Sequence, residues 1–113
     1  MINFYEEALK RKDDLLKDLE TLVQIPSVDD PSTAGLNQPF GKANRDALDA
    51  MLSIGKRDGY AVEDVEGYAG HIDVGDKEET FGVLGHLDVV PCNPVGWNTD
   101  PYNMVIKDGV TSI

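Results

Sequence analysis

The sequence predicts an α/β fold in which two helices precede a mixed β-sheet. Residues 5–23 and 42–57 place apolar side chains at helical spacing. Three short apolar segments, rich in β-branched and aromatic residues, follow between residues 60 and 84 and are separated by turns that contain glycine. With 41% apolar and 27% charged residues, the 113-residue chain has the composition of one folded domain of ordinary size.

The first helix is predicted to begin at Asn3 and to end before Pro26, a length of about six turns. Glu6 stands three residues after Asn3, which is the spacing of a capping box. Proline disfavours helical geometry in the residue before it, so the helix ends there. The apolar stripe consists of Tyr5, Ala8, Leu9, Leu15, Leu16, Leu19, Leu22 and Val23.

Residues 27–41 are predicted to form a loop, because they contain Pro31, Gly35 and Pro39 among aspartate, asparagine and serine residues. At about fifteen residues the loop is longer than most connections, and loops of this length are often functional. We therefore expect it to help shape a site.

The second helix is predicted over residues 42–57, with Gly59 in the position of a C-terminal cap. The predicted strands cover residues 60–65, 68–74 and 79–84, and a last short strand covers residues 104–107 before a turn. The third strand is almost continuously apolar, as is typical of a strand covered on both faces. The buried stripe of the second helix consists of Ala47, Leu48, Met51 and Leu52.

The formal net charge of −11 excludes some partners and favours others. Phosphate backbones and anionic membrane surfaces would repel the chain, so we expect neither nucleic acid nor a membrane as a partner. Cations and amino termini would be attracted. Cys92 is the single cysteine, and neither a signal peptide nor a membrane-spanning run is present, so the expected location is the cytoplasm.

The segment Gly85–Pro91, directly after the third predicted strand, carries the candidate site. His86 and Asp88 are two residues apart, so at a strand end they project to the same side of the backbone. A metal-bound histidine uses one ring nitrogen for the ion and donates the other N–H to a carboxylate, as this spacing would allow. From spacing alone, a hydrogen-bonded structural histidine is the more common alternative, and no HExxH or CxxC motif accompanies the pair.

Three further residues are given non-catalytic interpretations. His71, which alternates with polar residues on a predicted strand, is expected to be a surface or structural histidine. Trp97 is expected to anchor its loop to the core rather than to form a pocket wall, because tryptophan buries a large area. Cys92 lies next to the motif but has no partner ligands in the sequence, so no metal role is assigned to it.

The motif string resembles the M20 family of zinc metallopeptidases. The similarity rests on residues 85–91, on Gly96-Trp97-Asn98-Thr99-Asp100-Pro101-Tyr102, and on residues 105–109. Within that family the chain is most similar to the PepV-like subgroup, which includes the Xaa-His dipeptidases. The features that favour this subgroup are Ile25-Pro26-Ser27-Val28, Pro39-Phe40-Gly41, Ile54-Gly55-Lys56-Arg57-Asp58-Gly59 and Tyr68-Ala69-Gly70-His71-Ile72.

The resemblance implies a cytoplasmic metallo-dipeptidase with a three-layer α/β catalytic domain and two zinc ions, which manganese or cobalt can replace. Its substrates would be small peptides with an unblocked amino terminus. His86 matches the histidine that binds one metal ion, and Asp88 matches the catalytic-site carboxylate that orients it. A related N-acyl amino acid deacylase stays open as an alternative.

The resemblance also implies that residues 1–113 are the N-terminal portion of the catalytic domain, without a second domain. The family's bridging aspartate, general base and other ligands would follow the turn at Asp108-Gly109, where this sequence ends. We therefore expect the chain to be inactive alone and to self-associate through exposed strand edges. A non-catalytic fragment that binds metal weakly or associates with another molecule is the alternative.

Overall fold

The computed structural model describes residues 1–112. Its helices and strands are α1 (Phe4–Lys10), α2 (Lys12–Val23), a 3₁₀ turn (Pro31–Thr33), α3 (Lys42–Arg57), β1 (Ala61–Val65), β2 (Ala69–Asp73), β3 (Val105–Lys107) and β4 (Val110–Ser112). This content is consistent with the predicted α/β class. Within these residues no helix has the length and apolar character needed to cross a bilayer.

The predicted mixed sheet is wrong for the part of the chain that the structure describes. β1 pairs with β2, and β3 pairs with β4, as two separate antiparallel ladders. Both pairs are hairpins whose strands are close in sequence, which makes their loops inexpensive to close. The β-structure of the described residues therefore consists of two separate hairpins.

The first predicted helix is divided at Arg11. The Asn3 cap is confirmed, since its side-chain oxygen accepts the backbone N–H of Glu6 at 3.2 Å. Arg11 has φ −99° and ψ 0°, and its N–H bonds to the carbonyl of Ala8, three residues back. This tighter turn ends α1, all of whose residues are exposed, before α2 begins.

The predicted bounds of α3 and its cap are confirmed. Gly59 has φ +86°, and its N–H bonds to the carbonyl of Lys56 at 3.1 Å, while the N–H of Tyr60 bonds to that of Gly55 at 3.0 Å. These two bonds form a Schellman motif, which requires a left-handed residue where glycine stands.

The core lies between α3 and the β1–β2 hairpin. Ala47 and Gly55 are the buried residues of α3, and the rest of the predicted stripe is half-buried. Gly55 allows Ile72 of β2 to approach closely, because a Cβ at this position would lie 2.8 Å from the Ile72 Cδ1 atom. The predicted helix face is therefore the packed one, over a small core.

Arg45 joins three parts of the fold. Its side chain is only 13% exposed, and it lies 2.7 Å from the Asp64 carboxylate of β1. It also donates to the carbonyl of Asn37 in the 27–41 loop at 3.0 Å and pairs with Asp49 one turn further along α3. The hydrogen bond to Asp49, then that to Asp64, raises the pKa of Arg45. This guanidinium links loop, helix and hairpin.

Asp64 is expected to make stability depend on pH. The backbone N–H of Gly67 and then Arg45 lower the pKa of this carboxyl in the folded state. The unfolded chain therefore binds the proton more readily, so the contribution is complete above the unfolded pKa and is lost as pH falls through the folded pKa. Urea midpoints measured from neutral to acidic pH should fall less steeply in Asp64→Asn than in the wild type. Asp76→Asn, at an exposed loop position, is the control and should follow the wild type.

The third predicted strand, residues 79–84, is wrong. The segment has no strand assignment, and Phe81, Val83 and Leu84 are almost fully exposed. A strand needs a neighbour that pairs with its backbone N–H and C=O groups, and none of residues 1–112 provides one for this segment. Self-association of the chain stays a prediction, and the exposed apolar side chains of this segment agree with it.

Candidate functional site

His86 and Asp88 lie in irregular chain and not at a strand end, so that part of the prediction is wrong. The two side chains nevertheless meet. The Nδ1 atom of His86 is 3.2 Å from the carboxylate Oδ1 of Asp88 and 3.0 Å from its backbone carbonyl oxygen. Because Nδ1 takes both contacts, Nε2 is the nitrogen left for another partner.

Both side chains of the pair are open to solvent. The His86 side chain is 82% exposed and that of Asp88 is 69% exposed. An exposed pair of this kind contributes little to stability. The geometry therefore differs from that of a structural histidine buried in a core, and it leaves the imidazole accessible to an ion.

Ser27, in the chain that follows α2, forms hydrogen bonds with the two residues on either side of Asp88. Its hydroxyl donates to the carbonyl of Leu87 at 2.7 Å, and its own carbonyl accepts the N–H of Val89 at 3.0 Å. Sequence reasoning missed this contact, although it placed Ser27 at the start of the long loop. The available clue was a small polar residue directly after the proline that ends the helix.

The long loop is ordered by its own contacts and by the hairpin. Asp30 accepts hydrogen bonds from the hydroxyl of Ser32 at 2.6 Å and from its backbone N–H at 3.0 Å, and these two bonds, the hydroxyl bond first, lower the pKa of Asp30. The ring of Phe40 meets that of Tyr68 edge to face, with 5.7 Å between their centres. The loop prediction is confirmed, and its first residue, Ser27, contacts the candidate site.

The described residues do not make a complete zinc site. Zinc takes three or four protein ligands, and in residues 1–112 no group of three or more histidine, cysteine, aspartate or glutamate side chains is placed to hold an ion. Within these residues the candidate site consists of the His86 imidazole and the Asp88 carboxylate.

His71 lies apart from the motif, on the β1–β2 hairpin. Its Nδ1 is 2.8 Å from Asp73, and its Nε2 is 3.2 Å from Glu63 across the ladder. Both ring nitrogens are thus taken by carboxylates of the hairpin surface, which confirms the interpretation of His71 as a surface histidine.

The loop after the motif forms a shallow cleft. Cys92 donates from its Sγ to the hydroxyl of Tyr102 at 3.3 Å. Asp100 accepts the backbone N–H of Tyr102 at 2.9 Å and forms the turn. Trp97 is roughly half exposed, so the prediction that it anchors the loop in the core is wrong. The cleft is lined by Cys92, Pro94, Thr99, Asp100, Pro101 and Tyr102.

Comparison with known proteins places the chain beside dipeptidases. It is 42% identical over 107 residues to the "Beta-Ala-Xaa dipeptidase" of Lactobacillus delbrueckii subsp. lactis. It is 37% identical over 108 residues to the "Putative dipeptidase YtjP" of Bacillus subtilis, and 40% identical over 103 residues to a "Putative dipeptidase" of Staphylococcus epidermidis. No protein-family model matches the chain.

The matches cover 95%, 96% and 91% of this chain, in the order given. All three of these relatives are named dipeptidases. The chain spans only 23%, 23% and 22% of the length of these relatives.

Proposed function

We propose that the whole protein to which this sequence belongs is a metal-dependent dipeptidase of the M20 type. The single observation that carries the proposal is the identity of about 40% to proteins named dipeptidases over more than nine-tenths of the chain. The His86–Asp88 contact agrees with it, because a histidine whose Nδ1 faces a carboxylate is oriented as a metal ligand through Nε2.

The proposed metal is zinc, as two ions, with manganese or cobalt as possible replacements. Imidazole nitrogen and carboxylate oxygen suit these ions. His86 would supply one ligand and Asp88 would hold its orientation. Since residues 1–112 hold no group of three ligands, the other ligands and the general base are proposed to come from the remaining length of the protein. Residues 1–113 are proposed to be inactive alone.

The proposed substrates are dipeptides with an unblocked amino terminus. The relative from Lactobacillus delbrueckii is named for Beta-Ala-Xaa dipeptides, which makes β-alanyl dipeptides the first substrates to test. The net charge of −11 would also attract a cationic amino terminus.

Removal of metal should abolish hydrolysis by the full-length protein, because the proposed activity depends on the bound ions. Dialysis against a chelator is expected to stop the release of amino acids from β-Ala-Xaa and ordinary dipeptides. Addition of zinc, manganese or cobalt should restore it.

The same assay separates the alternatives. Activity that survives the chelator would contradict the metal dependence. Faster hydrolysis of N-acyl amino acids than of dipeptides, offered side by side, would favour a deacylase. Hydrolysis by residues 1–113 alone would contradict the proposed inactivity of this portion.

A further inference from the structure

We propose that Ser27 is a positioning residue, which holds Asp88 against His86 and thereby sets the ring nitrogen that faces the metal. The inference rests on the proposed function. It goes further by assigning a role to a side chain that lies 60 positions away from the motif residue it contacts.

The first observation is the burial of Ser27. It is the buried polar residue of the described chain, with 2% of its surface exposed. Buried polar groups in proteins are almost always hydrogen-bonded, and Ser27 makes its bonds to the motif. Its hydroxyl donates to the carbonyl of Leu87, and its carbonyl accepts from the N–H of Val89.

These two bonds lie on either side of Asp88. The Leu87 carbonyl belongs to the peptide unit before Asp88, and the Val89 N–H belongs to the peptide unit after it. Fixing both units restricts the backbone of Asp88, including the carbonyl oxygen that lies 3.0 Å from the Nδ1 of His86. The same restriction aims the Asp88 carboxylate, whose Oδ1 lies 3.2 Å from that nitrogen.

The consequence concerns the tautomer of His86. A neutral imidazole carries one proton, on Nδ1 or on Nε2. Both oxygens that Asp88 presents to Nδ1 are acceptors, so they favour the Nδ1–H form and leave the lone pair on Nε2. That form is the one able to bind a metal through Nε2.

Ser27 is itself held by hydrogen bonds in the chain that follows α2. Its N–H bonds to the carbonyl of Ile25 at 2.8 Å, in a tight turn just after α2. α2 is fastened to α3 by Arg57, which donates to both oxygens of Asp18 at 2.7 and 2.9 Å and lowers the pKa of that carboxyl. The chain that follows α2 therefore positions Ser27, and Ser27 in turn holds the backbone on either side of Asp88.

A merely structural Ser27 would lower stability when replaced but would not change the tautomer of His86. The exposed His86–Asp88 contact competes with water, so without a restricted backbone it should be easily lost. The tautomer therefore distinguishes the two roles.

The test uses the full-length protein, metal-free and labelled with ¹⁵N-histidine, at a pH where the imidazole is neutral. The ¹⁵N shifts of His86, assigned with His86→Gln, report the ratio of the Nδ1–H and Nε2–H forms. In Ser27→Ala this ratio is expected to fall about fivefold, the factor that corresponds to one net hydrogen bond of about 1 kcal/mol. Ser53→Ala, at an exposed position of α3, removes a hydroxyl away from the motif and should leave the ratio unchanged.

The metal is then added back as zinc alone. Ser27→Ala is expected to bind it more weakly, by no more than about fivefold, because the affinity falls only as far as the population of the Nδ1–H form does. An unchanged tautomer ratio in Ser27→Ala would overturn the positioning role, even if stability falls. A wild type that hydrolyses no dipeptide would overturn the proposed function alone, because the tautomer ratio is read without activity.

Discussion

Replacement of His86 with alanine should remove most of the dipeptidase activity of the full-length protein. The imidazole is 82% exposed, so the substitution deletes the proposed ligand without opening a cavity. Loss of an orienting partner alone costs roughly 10–100-fold in metal affinity or activity, and loss of the ligand itself should exceed about 100-fold. Hydrolysis rates and metal content after dialysis measure the effect, while the urea midpoint should barely change.

His71→Ala is the matched control for this prediction. It removes the other histidine of the chain, which lies on the hairpin surface between Glu63 and Asp73. Activity and metal content should stay at the wild-type level in this variant. If His86→Ala keeps full activity and its metal, or if both variants lose them equally, the assignment of His86 as a ligand is wrong.

Replacement of Gly67 with alanine should be the most destabilising single change in the hairpin. Gly67 has φ +76°, and a Cβ there would lie 2.0 Å from the carbonyl oxygen of Asn37. The clash is with backbone, so it cannot be relieved by a rotamer change. A left-handed non-glycine residue costs about 1–2 kcal/mol, and overpacking costs about 1–3 kcal/mol, so we expect a loss of about 2–5 kcal/mol in the free energy of unfolding.

Gly59→Ala separates the two contributions. Gly59 also has a left-handed conformation, φ +86°, but its added Cβ would meet nothing within 4 Å. This variant should therefore lose only about 1–2 kcal/mol. Urea unfolding of both variants gives the comparison. Equal losses of unfolding free energy in the two variants would contradict the clash with Asn37, and with it the close packing of the long loop against the hairpin at Gly67.

Local patterns were enough to predict α3, the cap at the beginning of α1 and the cap at the end of α3. The bounds of residues 42–57, the Asn3 cap and the Gly59 cap depend on contacts between residues a few positions apart, which the sequence displays directly. The division at Arg11 was missed because one stripe of apolar spacing runs through both α1 and α2.

The third strand shows where pattern alone fails. Residues 79–84 have the apolar character of a buried strand, but a strand also needs a paired neighbour, and residues 1–112 supply none for it. The same dependence on distant partners applies to metal sites, whose ligands come from separate parts of a chain.

The sequence by itself determined the two helical segments and the long loop, because apolar spacing, caps and turn residues act between neighbours a few positions apart. Only the tertiary structure brought Ser27 against Leu87 and Val89, placed Asn37 over Gly67, and left the apolar segment after β2 unpaired. Those contacts depend on the path of the whole chain, which local spacing does not specify.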